Sequence, residues 1–299
     1  ELIVEHPLLR EPVDYAGLPW VVNGRVRQLP MAFVSQVQET ALAHPDRLVI
    51  VFFDDSGQAT SATQAAMMQF VQERQFAGQR IPDNVRFVLA TNRRKDKAGV
   101  GGVLAPLTNR LTVLGVTIDA DSWAEWALHA GLPPVLVAYV RFKPDCLTDP
   151  DKDANRDIEP FCSARSVEAC GRYMMAGIEA YPVLAGCIGD GRATELSSFL
   201  KVWKELPDID QVLAKPATAT VPSAKRPDVM YALIGALAYH VDGKRMGALT
   251  TYLERVPIEY QVACIKDAQS QHPELQRTKA LIDWALRHKD MLGLGDEEK

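Results

Sequence analysis

Four largely apolar segments in the first 116 residues predict β-strands, the first of them as the tail of a strand. They span residues 1–4, 48–53, 85–90 and 111–116. Continuous rather than alternating apolarity is typical of strands covered on both faces, as in a parallel sheet flanked by helices. We therefore expect a parallel sheet in this part of the chain.

The segment between the second and third runs, TSATQAAMMQFVQERQF, has the period of a helix. Ala66, Met67 and Phe70 lie on one apolar face. Ser61 and Gln64 have the spacing of a capping box, in which two side chains satisfy free amides at a helix start. Strand, helix and strand thus follow one another, which predicts an α/β fold.

After residue 119 the pattern changes to helices. Residues 121–142 read as two helices interrupted at Pro133 and Pro134, and a stretch rich in Pro, Ala and Thr follows at 214–228. Further helical patterns lie at 163–181, 193–206, 230–241, 246–256, 259–269 and 273–289. The pattern predicts an α/β core at 1–118, a helical domain at 119–206 and a C-terminal helical region at 207–299.

The amino-acid composition limits the classes of partner that the protein is expected to bind. The chain has 33 basic and 38 acidic residues, which gives a net charge of −5. Indiscriminate binding to nucleic acid or to an anionic membrane is therefore not expected. No run of 18 apolar residues and no leader pattern is present, which favours a cytoplasmic location. The five cysteines lack C-x-x-C and histidine at ligand spacing, so we expect reduced, buried thiols rather than a zinc site.

Candidate chemistry begins with two carboxylates after the second apolar run. Asp54 and Asp55 directly follow LVIVFF, as in the Walker B arrangement of nucleoside triphosphatases. There the first carboxylate binds Mg²⁺, and the second polarises the water that attacks the γ-phosphate. Asn92 ends the next predicted strand, where its amide is expected beside the carboxylates. The plainer interpretation is an acidic turn and an ordinary strand-terminal asparagine.

Two arginines follow in an order that suits phosphate chemistry. Arg110 lies in LTNRL, and Arg165 lies at the start of a predicted helix in SARSVE. A guanidinium stabilises the negative charge that spreads over γ-phosphate oxygens during transfer. Each arginine taken alone is more simply a surface ion pair.

These residues resemble those of MoxR-type AAA+ ATPases over about residues 1–205. The likeness runs through LVIVFFDDSGQATSATQAAMMQFVQERQFAGQRIPDNVRFVLATN, PLTNRL, WAEWALHAGLPPVLVAYVRFKP and FCSARSVEACGRYM. It implies a P-loop NTPase-like AAA+ parallel sheet that lacks its N-terminal part here, followed by an α-helical lid at 119–206.

The resemblance also implies site roles. Asp54 corresponds to the Mg²⁺ carboxylate, Asp55 to the usual catalytic glutamate and Asn92 to sensor 1. Arg110 matches the arginine finger offered to a neighbouring subunit, and Arg165 matches the sensor 2 arginine, which contacts bound nucleotide.

At the level of the whole protein, the resemblance implies an ATP-hydrolysing, Mg²⁺-dependent ring of six identical subunits that remodels or chaperones a protein partner. Family members often act with a partner that carries a metal-ion adhesion domain. The C-terminal helices from about residue 207 are candidates for recruiting such a partner.

Two departures from the family pattern support an alternative function. The chain contains no G-x-x-x-x-G-K-[ST] motif, so the phosphate-binding loop is expected before residue 1 and the fragment is expected to be inactive alone. Asp55 is one methylene shorter than glutamate, which predicts slow hydrolysis. The alternative is a catalytically weak or inactive AAA+-like scaffold. A clamp loader or helicase is disfavoured by the acidic balance.

Overall fold

The structure is a computed structural model that describes residues 1–76, 79–92, 102–148, 160–223 and 225–289. The chain forms two compact units, Glu1–Val116 and Thr117–Lys299. The first has an α/β fold, and the second is helical.

The first unit contains a small parallel sheet, as predicted. Its strands in chain order are β1 (Leu2–Glu5), β2 (Leu18–Val22), β3 (Arg25–Leu29), β4 (Val49–Phe53), β5 (Gln75–Phe76), β6 (Gln79–Arg80) and β7 (Val85–Leu89). The parallel sheet has the order β1-β4-β7. β2 pairs with β3, and β5 pairs with β6, in separate antiparallel pairs.

Helices cover one face of the parallel sheet. Those of this unit are α1 (Pro12–Ala16), α2 (Ala32–Ala43), α3 (Ser61–Met68) and α4 (Ala105–Thr108). Residues from α1, α2, α3 and the three strands share one buried core. On the opposite face Leu2, Val4, Ile50 and Val88 are exposed. The expectation that both faces are covered is therefore wrong for the described part of the chain.

The helix predicted between the strands is confirmed, but its cap differs. The Thr60 hydroxyl, not that of Ser61, accepts the Thr63 amide at 3.1 Å. The Gln64 side chain instead binds the Gly102 carbonyl and the Leu104 amide, 3.1 and 3.0 Å away. A π-helical turn, Gln69–Glu73, continues α3.

The fourth predicted strand is wrong. Residues 111–116 pair with no described strand, and Val113, Leu114 and Val116 are exposed. An apolar, β-branched run favours extended backbone, but a strand forms only where a neighbour completes the hydrogen-bond ladder.

The second unit is helical, as predicted. Its helices are α5 (Ala120–His129), α6 (Pro134–Phe142), α7 (Ala164–Met175), α8 (Tyr181–Ile188), α9 (Asp190–Lys204), α10 (Ile209–Ala214), α11 (Pro227–His240), α12 (Met246–Leu253), α13 (Ile258–Gln271) and α14 (Lys279–Arg287). One core lies mainly among α5 to α9, and another among α10 to α14. The division of this unit into a lid and a C-terminal domain at residue 206 stays a prediction.

A buried ion pair joins the two parts of the helical unit. Arg141 on α6 binds both carboxylate oxygens of Asp267 on α13, and both side chains are nearly inaccessible. Burial raises the pKa of Asp267, and the Arg141 charge opposes that rise. None of the helices in the described ranges is long and apolar enough to span a membrane.

Candidate strand-end site

The carboxyl ends of β1, β4 and β7 meet at one edge of the sheet. The Asp54 amide donates to the Glu5 carbonyl at 2.9 Å, and the Ala90 amide donates to the Phe53 carbonyl at 2.9 Å. Ligands of open α/β sheets bind at this edge, because successive strands deliver side chains to the same place. The strand-end site consists here of Asp54, Asp55 and Asn92.

The two aspartates are oriented by the tight turn that follows β4. The Asp54 carboxylate accepts the Asp55 amide at 3.0 Å. Asp55 has a left-handed backbone, with φ of 51° and ψ of 33°. Aspartate is among the few residues that adopt this conformation readily. Below it, the buried Ser56 hydroxyl donates to the Phe53 carbonyl at 2.9 Å and anchors the turn.

Asn92 lies beside Asp55. Its amide nitrogen Nδ2 is 3.5 Å from Asp55 Oδ1, at the outer limit of a hydrogen bond. Both side chains remain accessible to solvent. The proximity expected from the strand ends is thus present, and the pair presents one acceptor and one amide to the same volume.

The sequence interpretation missed His6. His6 Nδ1 lies 4.0 Å from Asp54 Oδ2. This histidine follows the end of β1 as Asn92 follows the end of β7, so the same strand-end rule identifies it. Its ring provides a second polar group on the β1 side of the aspartates.

A buried polar network, also missed, supports this edge from beneath. Glu5 is 4% exposed and accepts two bonds from the Arg10 guanidinium, at 2.5 and 3.1 Å. The buried Tyr15 hydroxyl donates to the same carboxylate at 3.3 Å. Burial raises the pKa of Tyr15, and the hydrogen bond to Glu5 raises that of Arg10. Glu5 precedes His6, so the network fixes the chain beside Asp54.

Arg110 lies in the same unit but outside the strand-end cluster. It follows α4 and is exposed, and its guanidinium donates to the Pro106 carbonyl at 3.1 Å. The bonds from Gln64 to Gly102 and Leu104 hold the start of this segment.

Arg165 belongs to the helical unit. It is exposed in the first turn of α7, one residue inside the start of the helix. The Ser163 hydroxyl caps that helix by accepting the Ser166 amide at 3.2 Å. The helix start predicted at this point is therefore confirmed.

The sequence analysis also did not predict an exposed β-hairpin. β2 and β3 are joined at Asn23 and Gly24, both with positive φ, as a type I′ turn requires. Trp20, Val21 and Val26 are exposed on it. The Asn-Gly pair flanked by strand-forming residues was the available signal.

The donor set at the strand ends suits Mg²⁺ held jointly with phosphate. In the part of the chain that the structure describes, no group of three or more His, Cys, Asp or Glu side chains could hold a metal ion by itself. Mg²⁺ in phosphoryl-transfer sites usually takes only one or two carboxylates, with water and phosphate as its other ligands.

Comparison of the chain with protein-family models, curated proteins and solved structures found no match.

Proposed function

We propose that this chain is part of an ATP-hydrolysing, MoxR-like AAA+ ATPase with a P-loop NTPase-like sheet. The observation that carries the proposal is the convergence of Asp54, Asp55 and Asn92 at the carboxyl edge of a parallel sheet, with Asn92 3.5 Å from Asp55. An acidic turn alone does not require an amide from the next strand at that position.

The geometry suggests how the three side chains divide the work. Asp54 would hold Mg²⁺, and the ion when bound would neutralise charge on phosphate oxygens. Asp55 would accept a proton from the attacking water, while the Asn92 amide would orient that water. His6, near the other side of Asp54, would help to position that carboxylate.

Arg110 and Arg165 are proposed to contact nucleotide phosphates. Both are exposed. Arg165 lies in the first turn of α7, where the helix dipole disfavours a cation, so the position favours a role with a bound anion. We place Arg110 at the site of the adjacent subunit in a closed ring of six, as the family resemblance implies.

The uncovered sheet face supports the need for a further strand, loop and helix. Leu2, Val4, Ile50 and Val88 are exposed together on one face of the sheet, and Val113, Leu114 and Val116 have no partner among the described strands. The strand, phosphate-binding loop and helix of a P-loop NTPase would cover such surfaces.

The test is ATP turnover by the product of the complete reading frame. Asp54→Asn is expected to lower Mg²⁺-dependent turnover at least about 100-fold, because one charged ligand of the ion is lost. Asp46→Asn is the matched control: Asp46 is exposed in the turn before β4, at the opposite end of that strand. Equal turnover in the two variants would refute the site.

A mixing experiment tests the shared active site. Arg110→Ala and Asp54→Asn are each expected to be nearly inactive alone, whereas a mixture restores part of the activity. Recovery occurs because some interfaces then combine an intact Arg110 with an intact Asp54. Absence of recovery, with ring assembly intact by mass measurement, would contradict a trans-acting arginine.

A catalytically weak or inactive scaffold is the second candidate, favoured by Asp55. The left-handed backbone suits aspartate better than glutamate, so the shorter side chain is compatible with the turn rather than with fast hydrolysis. Nucleotide binding by the complete product without turnover, unchanged by Asp55→Asn, would support the scaffold. Loss of measurable turnover in Asp55→Asn would support the ATPase.

A further inference from the structure

Four of the five cysteines form two neighbouring pairs in the helical unit. The neighbouring Cys162 thiol raises the pKa of Cys146, and burial followed by the neighbouring Cys187 thiol raises that of Cys170. Cys264 lies in the other core, where its thiol donates to the Ile234 carbonyl at 3.4 Å.

The second pair joins two consecutive helices. Cys170 is on α7, and its Sγ donates to the Leu184 carbonyl on α8 at 3.9 Å. Cys187 lies three residues after Leu184, on the same face of α8. The bond to the Leu184 carbonyl therefore places Cys170 against the part of α8 that carries Cys187.

The two pairs differ in access from solvent. Cys146, Cys162 and Cys170 are fully buried, whereas Cys187 is partly exposed. A reagent in solution therefore reaches the Cys170–Cys187 pair through Cys187 and has no comparable route to the Cys146–Cys162 pair.

We propose that Cys170 and Cys187 form a dithiol that a hydroperoxide oxidises to an intramolecular disulfide. The Cys187 thiolate attacks the peroxide O–O bond and becomes a sulfenic acid, and the leaving oxygen takes a proton to form water. Cys170 Sγ then attacks Cys187 Sγ and displaces hydroxide, which takes the Cys170 proton. In total, two thiols and one molecule of hydrogen peroxide give one disulfide and two molecules of water.

The environment supports this order of events. Burial raises the pKa of Cys170, as does the neighbouring Cys187 thiol, so Cys170 is a poor first nucleophile. Two neighbouring thiols, without a third ligand group in the described residues, favour disulfide chemistry over metal binding.

Oxidation would tie α7 to α8 and thereby restrict the unfolded chain between residues 170 and 187. A loop of this length predicts a rise in the melting temperature of roughly 5 °C. The inference concerns the helical unit and does not depend on the proposed ATPase function.

The experiment treats the purified chain with hydrogen peroxide and maps disulfides by mass spectrometry of unreduced peptides. We expect a peptide pair linked through Cys170 and Cys187, and a rise in melting temperature that dithiothreitol reverses. Cys187→Ser should abolish both effects. Cys264→Ala is the control and should retain the linked peptides.

Several outcomes would overturn the proposal. They are a disulfide that joins other cysteines, oxidation of Cys187 to sulfinic acid while Cys170 stays reduced, and retention of all five free thiols after peroxide treatment. The melting measurement on the wild-type chain needs no substitution, so the proposal remains testable even if a cysteine variant fails to fold.

Discussion

At the scale of single residues, the strand-end site combines solvent-accessible side chains with a buried carboxylate that supports them. Asp55 and Asn92 face the same volume, while Glu5 is buried beneath and has no access to a ligand. Residue types after apolar runs predicted the first two. Glu5 did not stand out, because one carboxylate in a strand has no distinguishing local pattern, and its partners come from residues that fold back upon it.

Removal of the Asn92 amide tests its position. In the complete protein, Asn92→Ala is expected to lower ATP turnover about 10- to 100-fold. Misplacement of the attacking water slows the chemical step but does not weaken nucleotide binding. The nucleotide affinity should change little. Thr91→Ala is the neighbouring control, because Thr91 is exposed and its hydroxyl donates only to the Asn92 carbonyl among described partners. Equal turnover in wild type and Asn92→Ala would contradict the assignment.

Removal of the Glu5 carboxylate tests the support beneath the site. Glu5→Ala leaves the Tyr15 hydroxyl without its acceptor and Arg10 without its ion pair, so we expect a loss of about 2–4 kcal/mol in the free energy of unfolding. Urea denaturation measures it. Glu39→Ala, at an exposed position of α2, should change that free energy by less than about 0.5 kcal/mol. Equal effects in the two variants would show that the network does not stabilise the fold.

At the scale of elements, most helices and the three parallel strands follow from local patterns. Proline at 133 and 134 separates α5 from α6, and the apolar period identifies α9 and α11. The strand predicted at 111–116 is the exception. Its composition is that of a strand, but strand formation depends on a partner that the segment does not itself contain.

Close contact between α6 and α11 offers a test of helix packing. A Cβ added at Gly235 would lie 2.9 Å from the Ala138 Cβ, closer than two carbon atoms tolerate. We expect Gly235→Ala to lower the free energy of unfolding by about 1–3 kcal/mol because the helices must separate.

The control for this contact is Gly186→Ala. Gly186 is exposed on α8, and no heavy atom of the described residues lies within 4 Å of a Cβ added there. The substitution should therefore stabilise the fold by up to about 1 kcal/mol through helix propensity. Thermal or urea unfolding compares the two. Stabilisation by both substitutions would contradict the close approach of α6 and α11.

At the scale of the whole molecule, acid stability follows from ion pairs of the helical unit. A hydrogen bond from Arg192 holds the pKa of Asp145 below its usual value. Burial alone would raise that of Glu254, but bonds from Arg287 and His288 lower it. Hydrogen bonds from Ser122, from the Arg226 side chain and from the Arg245 backbone amide lower the pKa values of Asp119, Asp228 and Asp242, respectively.

These lowered values set the sign of the pH dependence. The folded state binds fewer protons than the unfolded chain, so the stabilisation is present above the unfolded pKa of about 4 and is lost as the pH falls through the lower folded values. Asp267, whose pKa burial raises, contributes in the opposite sense. We expect the melting temperature of the chain to fall below about pH 4.

Melting curves across this range test the expectation. Asp145→Asn should weaken the dependence on pH, because one carboxylate with a lowered pKa is then absent. A melting temperature that rises on acidification would show that Asp267 and other groups with raised pKa outweigh the ion pairs.

The sequence by itself determined the three parallel strands, most helices of the second unit and the placement of Asp54, Asp55 and Asn92 at strand ends. Those features depend on near neighbours: apolar period, prolines and caps. Only the tertiary structure decided that Asn92 meets Asp55, that Glu5 is buried with Arg10 and Tyr15, that 111–116 is no strand and that Cys170 packs against α8 at Leu184. Each of these depends on which surfaces of separate elements pack together, and no local pattern of residues encodes that choice.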